Sequence, residues 1–362
     1  MGGAGNRSRW YRLRMPDQQA IEGIRLPAIE AWIGAHTNEI EPPFEWTRLT
    51  GGTSNLTYAI TDANGQRAVV RRPPTGKLLP KAHDMEREHK ILAGLAPTPV
   101  PIARPFALCT DPEITGAPFY VMEYCEGVAI AISGGENLDL PMEIRPNVGE
   151  SMVNALVELH KVDPADAGLE RLGRPDGYIA RQLNRWFDSW QRSHEAAQID
   201  LPNVAEAYEA LSARIPEQGP ARICHGDYGP HNVLISDAGE VVAITDWEIG
   251  TLGDPLADIA YFVRGWAEQP TTSVDEFLDA RRDVGYASRR ELIEIYEQNS
   301  GRPINDLWYY LAFNSFKSCC IVQGVYGRFM GGVRGTQGVD LDEMRERILG
   351  LAEATTRAIE NL

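Results

Sequence analysis

The sequence has few cysteines and no arrangement of them that would indicate a disulfide framework or a metal finger. The five are Cys109, Cys125, Cys224, Cys319 and Cys320, and none forms a C-x-x-C pair. An odd number of cysteines in a chain of 362 residues favours reduced thiols. We therefore predict a cytoplasmic protein.

Long apolar runs and an excess of basic residues are also missing. No run approaches the roughly 18 apolar residues of a membrane span, so the sequence predicts no membrane partner. The formal net charge of −16 argues against sequence-independent nucleic-acid binding, which needs a basic surface. Four arginines between positions 7 and 14 have no apolar core behind them, so we predict a basic extension and not a secretory signal.

The most informative segment is residues 225–246, which begins His-Gly-Asp-Tyr-Gly-Pro-His-Asn. Two apolar strands, 233–236 and 241–245, are joined by a turn with Gly239, and this hairpin should bring Asp227, Asn232 and Asp246 to one rim of a small sheet. Asn232 and Asp246 would then hold Mg²⁺ on nucleotide phosphates, because carboxylate and amide oxygens suit a hard cation. Asp227 would accept the proton of an attacking hydroxyl.

This segment also matches a known spacing. His-x-Asp-x₄-Asn with an Asp 14 residues later is the catalytic pattern of eukaryotic-like kinases. The wording HGDYGPHNVLI…ITDWEIGTLGDPLADIAYF resembles the aminoglycoside phosphotransferase family, which includes choline-type kinases and the kinase-like domain fused to some acyl-CoA dehydrogenases. The resemblance runs from about residue 45 to at least 265. It implies ATP and Mg²⁺ as cofactors and the hydroxyl of a small molecule as acceptor.

The order of predicted elements agrees with an α+β, bilobal protein-kinase-like fold that has a small β-rich N-lobe and a larger helical C-lobe. We predict an N-terminal extension and helix in 1–40, a nucleotide-binding N-lobe in 41–126 and a catalytic, acceptor-binding C-lobe in 127–362. Predicted N-lobe elements, in order, are a helix at 21–36, strands at 44–49, 56–60 and 66–72, a helix at 80–95, and strands at 102–109 and 119–124. Predicted C-lobe helices are 148–159, 176–196, 203–214, 256–267, 273–280, 288–299, 305–325 and 340–361.

A loop between the first two strands is a candidate phosphate cover. Gly52, Thr53, Ser54 and Asn55 could present main-chain N–H groups to phosphates, although alone they would be an ordinary turn. The sequence contains no G-x-x-x-x-G-K-[ST], which excludes a P-loop enzyme.

Arg71 ends the third strand, where the kinase motif V-A-I-K has lysine. Its planar guanidinium could grip the nucleotide phosphates, or it could be a surface charge in an impaired site. The family resemblance implies Glu88, in Arg-Glu-His-Lys-Ile-Leu, as its ion-pair partner. Arg72 points to the other face of the strand, and we expect it to be solvated.

Residues 119–127 resemble the hinge that binds adenine. There the carbonyl of Glu123 and the N–H of Cys125 would pair with the base, and Met122 would line the rear of the pocket. A buried strand without a ligand is the alternative.

Other polar residues near Asp227 have expected structural roles. His225 is expected to brace the loop, and Asp254 and Asp258 to organise the site from a helix start. A zinc site of His225, Asp227 and His231 is the alternative.

Arg71 in place of lysine also admits a nucleotide-binding regulatory pseudokinase. A protein kinase is disfavoured because no A-P-E segment follows Asp246. Mixed charges and aromatic residues in 176–190 and 306–330 favour an amphipathic or acidic acceptor over a polycation. The sequence does not indicate an oligomeric state.

Overall fold

A computed structural model of the chain describes residues 21–49, 55–76, 83–130, 140–266, 285–332 and 339–362. The described residues fall into two compact units. The first contains residues up to Ile130 together with His231–Asp237 and Val241–Ile249, and the second contains the remainder. The division predicted from the sequence at 40 and 126 stays a prediction.

The first unit is built on a five-stranded antiparallel sheet with the order β1-β2-β3-β5-β4. Its strands are β1 Glu45–Arg48, β2 Leu56–Thr61, β3 Arg67–Arg72, β4 Pro105–Cys109 and β5 Phe119–Glu123. The β2–β3 hairpin forms because the side chain of Asp62 accepts hydrogen bonds from the N–H groups of Asn64 (2.8 Å) and Gln66 (2.9 Å). Gly65 supplies the left-handed residue that this turn needs, with φ of 81°.

Helices cover both faces of this sheet. Helix α1, Ala28–His36, buries Ile29 and Ile33 against Ile60, Val70 and Val121. Helix α2, Met85–Leu95, packs against β4 and β5, and Asp84 caps its N-terminus by accepting the N–H of Arg87. A four-residue helix, α3, spans Pro112–Thr115.

The helix predicted at 21–36 was wrong in its first half, since α1 begins at Ala28. Pro27 precedes the helix and disfavours a helical conformation at Leu26, and Gly23 adopts a left-handed turn with φ of 71°. The apolar residues Ile21 and Ile24 therefore belong to turns.

The hairpin predicted around Gly239 is present, with β7 at Val233–Ile235 and β8 at Val241–Ile244. Val128 and Ile235 exchange two main-chain hydrogen bonds of 2.9 Å, and the N–H of Ile244 donates to Pro101 O at 2.8 Å. These bonds join the hairpin to the segment that follows β5 and to the one that precedes β4.

The second unit is mainly helical. Its helices are α4 Arg145–Lys161, α5 Tyr178–Ala197, α6 Pro202–Ser212, α7 Pro255–Val263, α8 Arg289–Ser300, α9 Leu307–Met330 and α10 Leu341–Ile359. Two short strands that the sequence analysis missed, β6 Arg222–Cys224 and β9 Thr251–Gly253, pair antiparallel. The helix predicted at 273–280 lies outside the described residues. The α+β class is thus confirmed, with a small antiparallel sheet region and a larger helical part.

Helix α9 is the centre of this unit and packs against α5, α7 and α10. Most of its residues are buried, which explains its apolar character on all sides. Its buried polar side chains include Asn314, Lys317 and Gln323, and each makes a hydrogen bond. Among the helices that the structure describes, none combines the length and the apolarity needed to cross a membrane.

Candidate active site

Arg71 makes the central contacts of the candidate nucleotide site in the first unit. Its Nε donates to Glu88 Oε2 at 3.0 Å, and its Nη2 donates to Asp246 Oδ1 at 2.7 Å. The pairing expected between Arg71 and Glu88 is therefore present. Because the fork of the guanidinium reaches two carboxylates at once, one cation links β3, α2 and the end of the β7–β8 hairpin.

Glu88 lies in a dry environment. Its side chain is 2% exposed, and its oxygens accept further hydrogen bonds from Tyr120 Oη (3.0 Å) and Asn55 Nδ2 (3.4 Å). Burial raises the pKa of Glu88, and the guanidinium of Arg71 opposes that rise. Burial alone would lower the pKa of Arg71, but its anionic neighbours raise it above the ordinary value. Arg71 is therefore always charged here.

Arg72 corrects one expectation from the sequence. It does point to the opposite face of β3 from Arg71, but it is only 4% exposed because residues before α1 cover that face. Its guanidinium donates to Gly23 O, and burial lowers the pKa of Arg72. The covering segment is far away in sequence, so strand alternation alone did not reveal it.

Asn232 and Asp246 occupy the paired ends of the hairpin. Asn232 is buried and directly precedes β7, and its carbonyl accepts the N–H of Thr245 at 2.8 Å. Asp246 is the next residue after Thr245 and adopts a left-handed conformation with φ of 62°. This conformation is unfavourable in free energy for a residue other than glycine. Such strained residues are concentrated at functional sites.

The segment predicted to bind adenine borders the same face of the sheet. Met122 pairs with Val69, so Met122 lies on the face that carries Arg71. The N–H of Glu123 donates to Arg104 O at 2.8 Å, and the pairing of its carbonyl with a base stays a prediction. Cys125 is half-buried, and burial raises the pKa of its thiol to about 11, so the thiol is neutral.

Gly127 allows the hairpin to approach this segment closely. A Cβ at this position would lie 3.0 Å from Val242 Cγ2 and 3.1 Å from Ile235 O. The predicted phosphate-covering residues Gly52, Thr53 and Ser54 lie outside the described residues, whereas Asn55 is bonded to Glu88.

Asp227 belongs to the second unit, in a loop of residues 225–227 that follows β6. The hydroxyl of Tyr261 donates a hydrogen bond to Asp227 Oδ1. Asp258 accepts the N–H groups of His225 (2.5 Å) and Gly226 (2.9 Å), and Gly226 has the left-handed φ of 84° that glycine favours. His225 is fully buried, and its Nδ1 accepts the N–H of Asp227 at 3.3 Å, which agrees with a bracing role.

Asp258 also lies beside a buried histidine. His160 Nε2 lies 3.7 Å from Asp258 Oδ2, and His160 Nδ1 is 2.8 Å from the hydroxyl of Tyr296. Burial would raise the pKa of Asp258, but its contacts with His160 and the loop N–H groups lower it. Asp254 caps α7 through the N–H of Leu256 at 3.0 Å. Both aspartates thus organise the loop and the helix behind it.

The sequence analysis missed the contacts of Tyr261 and Lys317 with this loop. Lys317 Nζ donates to Gly226 O at 2.5 Å from within α9. A lysine inside the apolar run 307–322 is a signal that could have identified it, because a buried cation requires a partner. Tyr261 follows Asp258 by three residues, so helical spacing places the two on one face of α7.

Few of the described side chains at this site could ligate a metal ion. Among the residues that the structure describes, no group of three or more His, Cys, Asp or Glu side chains could hold a metal ion. The zinc alternative at His225, Asp227 and His231 therefore has no support. Mg²⁺ on a nucleotide needs only one or two carboxylates together with phosphates and waters, so this finding does not bear on Asn232 and Asp246.

Comparisons with known proteins agree with this geometry. The chain is 32% identical over 318 residues to acyl-CoA dehydrogenase family member 10 of Mus musculus, which covers 84% of the chain but only 28% of that relative. A crystal structure of a candidate aminoglycoside phosphotransferase from Ralstonia eutropha JMP134 matches with a TM-score of 0.75 and 28% identity, covering 92% of this chain and 98% of that one. Spectinomycin phosphotransferase, solved in complex with ADP and spectinomycin, matches with a TM-score of 0.60 and 12% identity over 92% of this chain and 99% of that one.

These solved structures confirm the kinase-like fold. The model of the phosphotransferase enzyme family matches residues 45–292, which is more than half of the chain. The chain therefore belongs to the phosphotransferase enzyme family that includes the aminoglycoside phosphotransferases.

Proposed function

We propose that this protein is an ATP- and Mg²⁺-dependent phosphotransferase that acts on a hydroxyl group of a small molecule. The observation that carries the proposal is the double ion pair of Arg71 with Glu88 and Asp246. A strand cation paired with a helix carboxylate, next to the carboxylate proposed to bind Mg²⁺, is the arrangement that kinases use to hold nucleotide phosphates.

The residues present fit Mg²⁺ and a nucleotide. Asn232 and Asp246 would hold the metal through an amide oxygen and a carboxylate oxygen, and the contact with Arg71 uses only Oδ1 of Asp246. The metal would neutralise charge on the phosphates. Arg71 would hold the nucleotide phosphates, while Met122, Glu123 and Cys125 would border the base.

Asp227 would serve as general base toward the acceptor hydroxyl. Its carboxylate already accepts the hydroxyl of Tyr261, and the loop that carries it is bonded to Asp258 and Lys317. A fixed carboxylate lowers the reorganisation needed when it takes a proton from the acceptor.

The acceptor is proposed to be a hydroxyacyl or other amphipathic compound. The similarity to acyl-CoA dehydrogenase family member 10 supports this class, although the chain spans only 28% of that relative. The spectinomycin in the more distant solved structure supports a small-molecule acceptor in general terms.

A coupled assay of ADP release tests the proposal. The purified protein is supplied with MgATP and a panel of aminoglycosides, choline-like alcohols, hydroxy-amino acids and hydroxyacyl compounds. We expect acceptor-dependent ADP release that requires Mg²⁺ and is fastest with a hydroxyacyl compound. Efficient turnover of an aminoglycoside at micromolar KM would overturn the acceptor assignment.

The competing function is a nucleotide-binding regulatory pseudokinase, motivated by Arg71 in the position of lysine. Calorimetric titration with a non-hydrolysable ATP analogue, with and without Mg²⁺, separates the candidates. Binding without turnover across the whole panel would favour the pseudokinase, and no binding at millimolar nucleotide would refute both functions.

A further inference from the structure

The loop of residues 225–227 is held by side chains from two helices. Helix α7 contributes Asp258 and Tyr261, which lie one turn apart on the same face. Helix α9 contributes Lys317, whose ammonium group bonds to Gly226 O. Asp258 and Lys317 contact the main chain that precedes Asp227. Tyr261 contacts the carboxylate of Asp227 directly.

Tyr261 contacts the carboxylate of Asp227 and can influence its orientation and its protonation. Its hydroxyl donates to Asp227 Oδ1, and burial followed by the negative charge of Asp227 raises the pKa of Tyr261. The phenol therefore stays protonated at neutral pH and is available only as a donor to this oxygen. A hydrogen bond donated to a carboxylate favours its ionised form.

Lys317 is suited to act on the main chain. It is 5% exposed, and its Nζ lies 2.5 Å from Gly226 O and 5.3 Å from the centroid of the Tyr261 ring. Burial lowers the pKa of Lys317, whereas Asp227 and Asp258 oppose the change by favouring its charged form. A buried cation is costly unless nearby groups compensate its charge. Here Gly226 O and the carboxylates of Asp227 and Asp258 provide that compensation.

A second cation lies near the Tyr261 ring. Arg264 lies 5.0 Å from the ring centroid, and its Nη1 donates to Asn314 O (2.8 Å) and Ser318 Oγ (2.9 Å) of α9. Among the residues that the structure describes, the charged and titratable groups around Tyr261 and Asp227 include Asp258 on α7, Arg264 directly after α7, Lys317 on α9, Arg347 on α10, and His225 in the loop itself.

We propose that Tyr261 and Lys317 are positioning residues for phosphotransfer. Tyr261 orients the Asp227 carboxylate and keeps it ionised, and Lys317 fixes the main chain of Gly226 from which Asp227 projects. This inference rests on the proposed role of Asp227 as general base, and it adds two residues that the kinase motif does not contain.

The test uses conservative variants of the full chain. Tyr261→Phe removes only the hydroxyl, Lys317→Met removes the ammonium group with its hydrogen bond to Gly226 O, and Lys317→Arg restores a charged donor. Tyr58→Phe is the matched control, because Tyr58 also loses one buried hydroxyl, which donates to Glu22 O at 2.7 Å on the face of the sheet opposite Arg71. Thermal unfolding of all four variants verifies that they are folded.

Two readouts are measured. The first is the rate of ADP release from MgATP as a function of pH, with the best acceptor of the panel or with water alone. The second is the titration of the Asp227 carboxyl carbon by NMR in protein labelled with ¹³C-aspartate, where Asp227→Asn assigns the resonance. The second readout does not depend on turnover.

We expect Tyr261→Phe and Lys317→Met to lower kcat roughly tenfold each while the KM for ATP stays within about twofold. In Tyr261→Phe, the acidic limb of the rate profile and the NMR midpoint should both move up by about one pH unit. Lys317→Arg should recover most of the rate, and Tyr58→Phe should match the wild type.

Wild-type rates and an unmoved NMR midpoint in Tyr261→Phe and Lys317→Met would overturn the inference. If the wild type releases no ADP with any acceptor, the proposed function fails. The NMR midpoint then decides the inference by itself, because an unmoved midpoint still refutes the effect on Asp227 and a shifted one supports it.

Discussion

Replacement of Arg71 tests the candidate nucleotide site most directly. Its Nε and Nη2 bond two different carboxylates, at 3.0 Å to Glu88 and 2.7 Å to Asp246. Lysine at this position carries a single nitrogen on a shorter side chain, so Arg71→Lys cannot reproduce the fork. Arg71→Ala removes both contacts and leaves Glu88 charged without its cation.

The expected losses of affinity and stability follow from the contacts that each variant removes and from their burial. Arg71→Lys loses the second charge-assisted hydrogen bond, of about 1.5–3 kcal/mol, that the guanidinium would donate to the nucleotide phosphates, so ATP affinity should fall roughly 10- to 150-fold. Arg71→Ala should lower the free energy of unfolding by about 3–5 kcal/mol, because one partner of a buried pair is removed. Most of that loss comes from the pair with Glu88, since the Asp246 side chain is 32% exposed and water screens its pair.

Calorimetric titration with a non-hydrolysable ATP analogue measures the affinity, and urea unfolding measures the stability. Arg72→Lys is the control for affinity, since Arg72 lies on the opposite face of the same strand and bonds to Gly23 O. It should alter stability and leave nucleotide affinity near the wild-type value. An Arg71→Lys protein that turns over faster than the wild type would refute the reasoning, because arginine would then be a defect.

The remaining predictions concern the base, the metal and pH. Asp227→Asn should bind the ATP analogue normally and lose roughly 10²–10⁴ in kcat, and retention of more than about a third of the rate would disprove its role as base. Asp246→Ala should abolish the increase in nucleotide affinity that Mg²⁺ causes in the same titration, while Asn232→Ala should reduce it only in part. The reason is that a carboxylate binds a hard cation better than an amide. Equal and negligible effects of the two variants would contradict this assignment. Burial lowers the pKa of His160 below its ordinary value of 6.5, so the unfolded chain binds the extra proton and the free energy of unfolding should fall as pH drops below that value. Urea unfolding at about pH 7.5 and about pH 5.5 should show a smaller decline in His160→Gln than in the wild type, and identical declines would exclude His160 as the cause.

Local patterns were sufficient to predict the hairpin and the sheet strands. The alternation of apolar residues and the turn at Gly239 lie within one short segment, so β7 and β8 begin and end within one residue of their predicted bounds. The pairing of Arg71 with Glu88 was accessible only through the family resemblance, since 17 residues separate them.

Contacts between distant segments could not be predicted in the same way. Arg72 is buried by Gly23, 49 positions away, and Gly226 is bonded by Lys317, 91 positions away. Strand alternation and helical periodicity give the direction of a side chain from its own element, but they do not identify what covers it. The sequence therefore predicted the motif residues and the supporting carboxylates Glu88 and Asp258, but it missed the contacts made by Gly23 and Lys317.

The choice between enzyme and pseudokinase depends on what arginine does at position 71. A lysine in this position would offer a single nitrogen on a shorter side chain, whereas Arg71 bonds Glu88 and Asp246 through two separate nitrogens. Arginine therefore adds a direct link between α2 and the residue proposed to bind the metal. On this argument the substitution is compatible with turnover, and it predicts that nucleotide affinity and the Mg²⁺ dependence of binding will fall together when Arg71 is changed. Loss of affinity with an unchanged Mg²⁺ dependence would separate the two and refute the link.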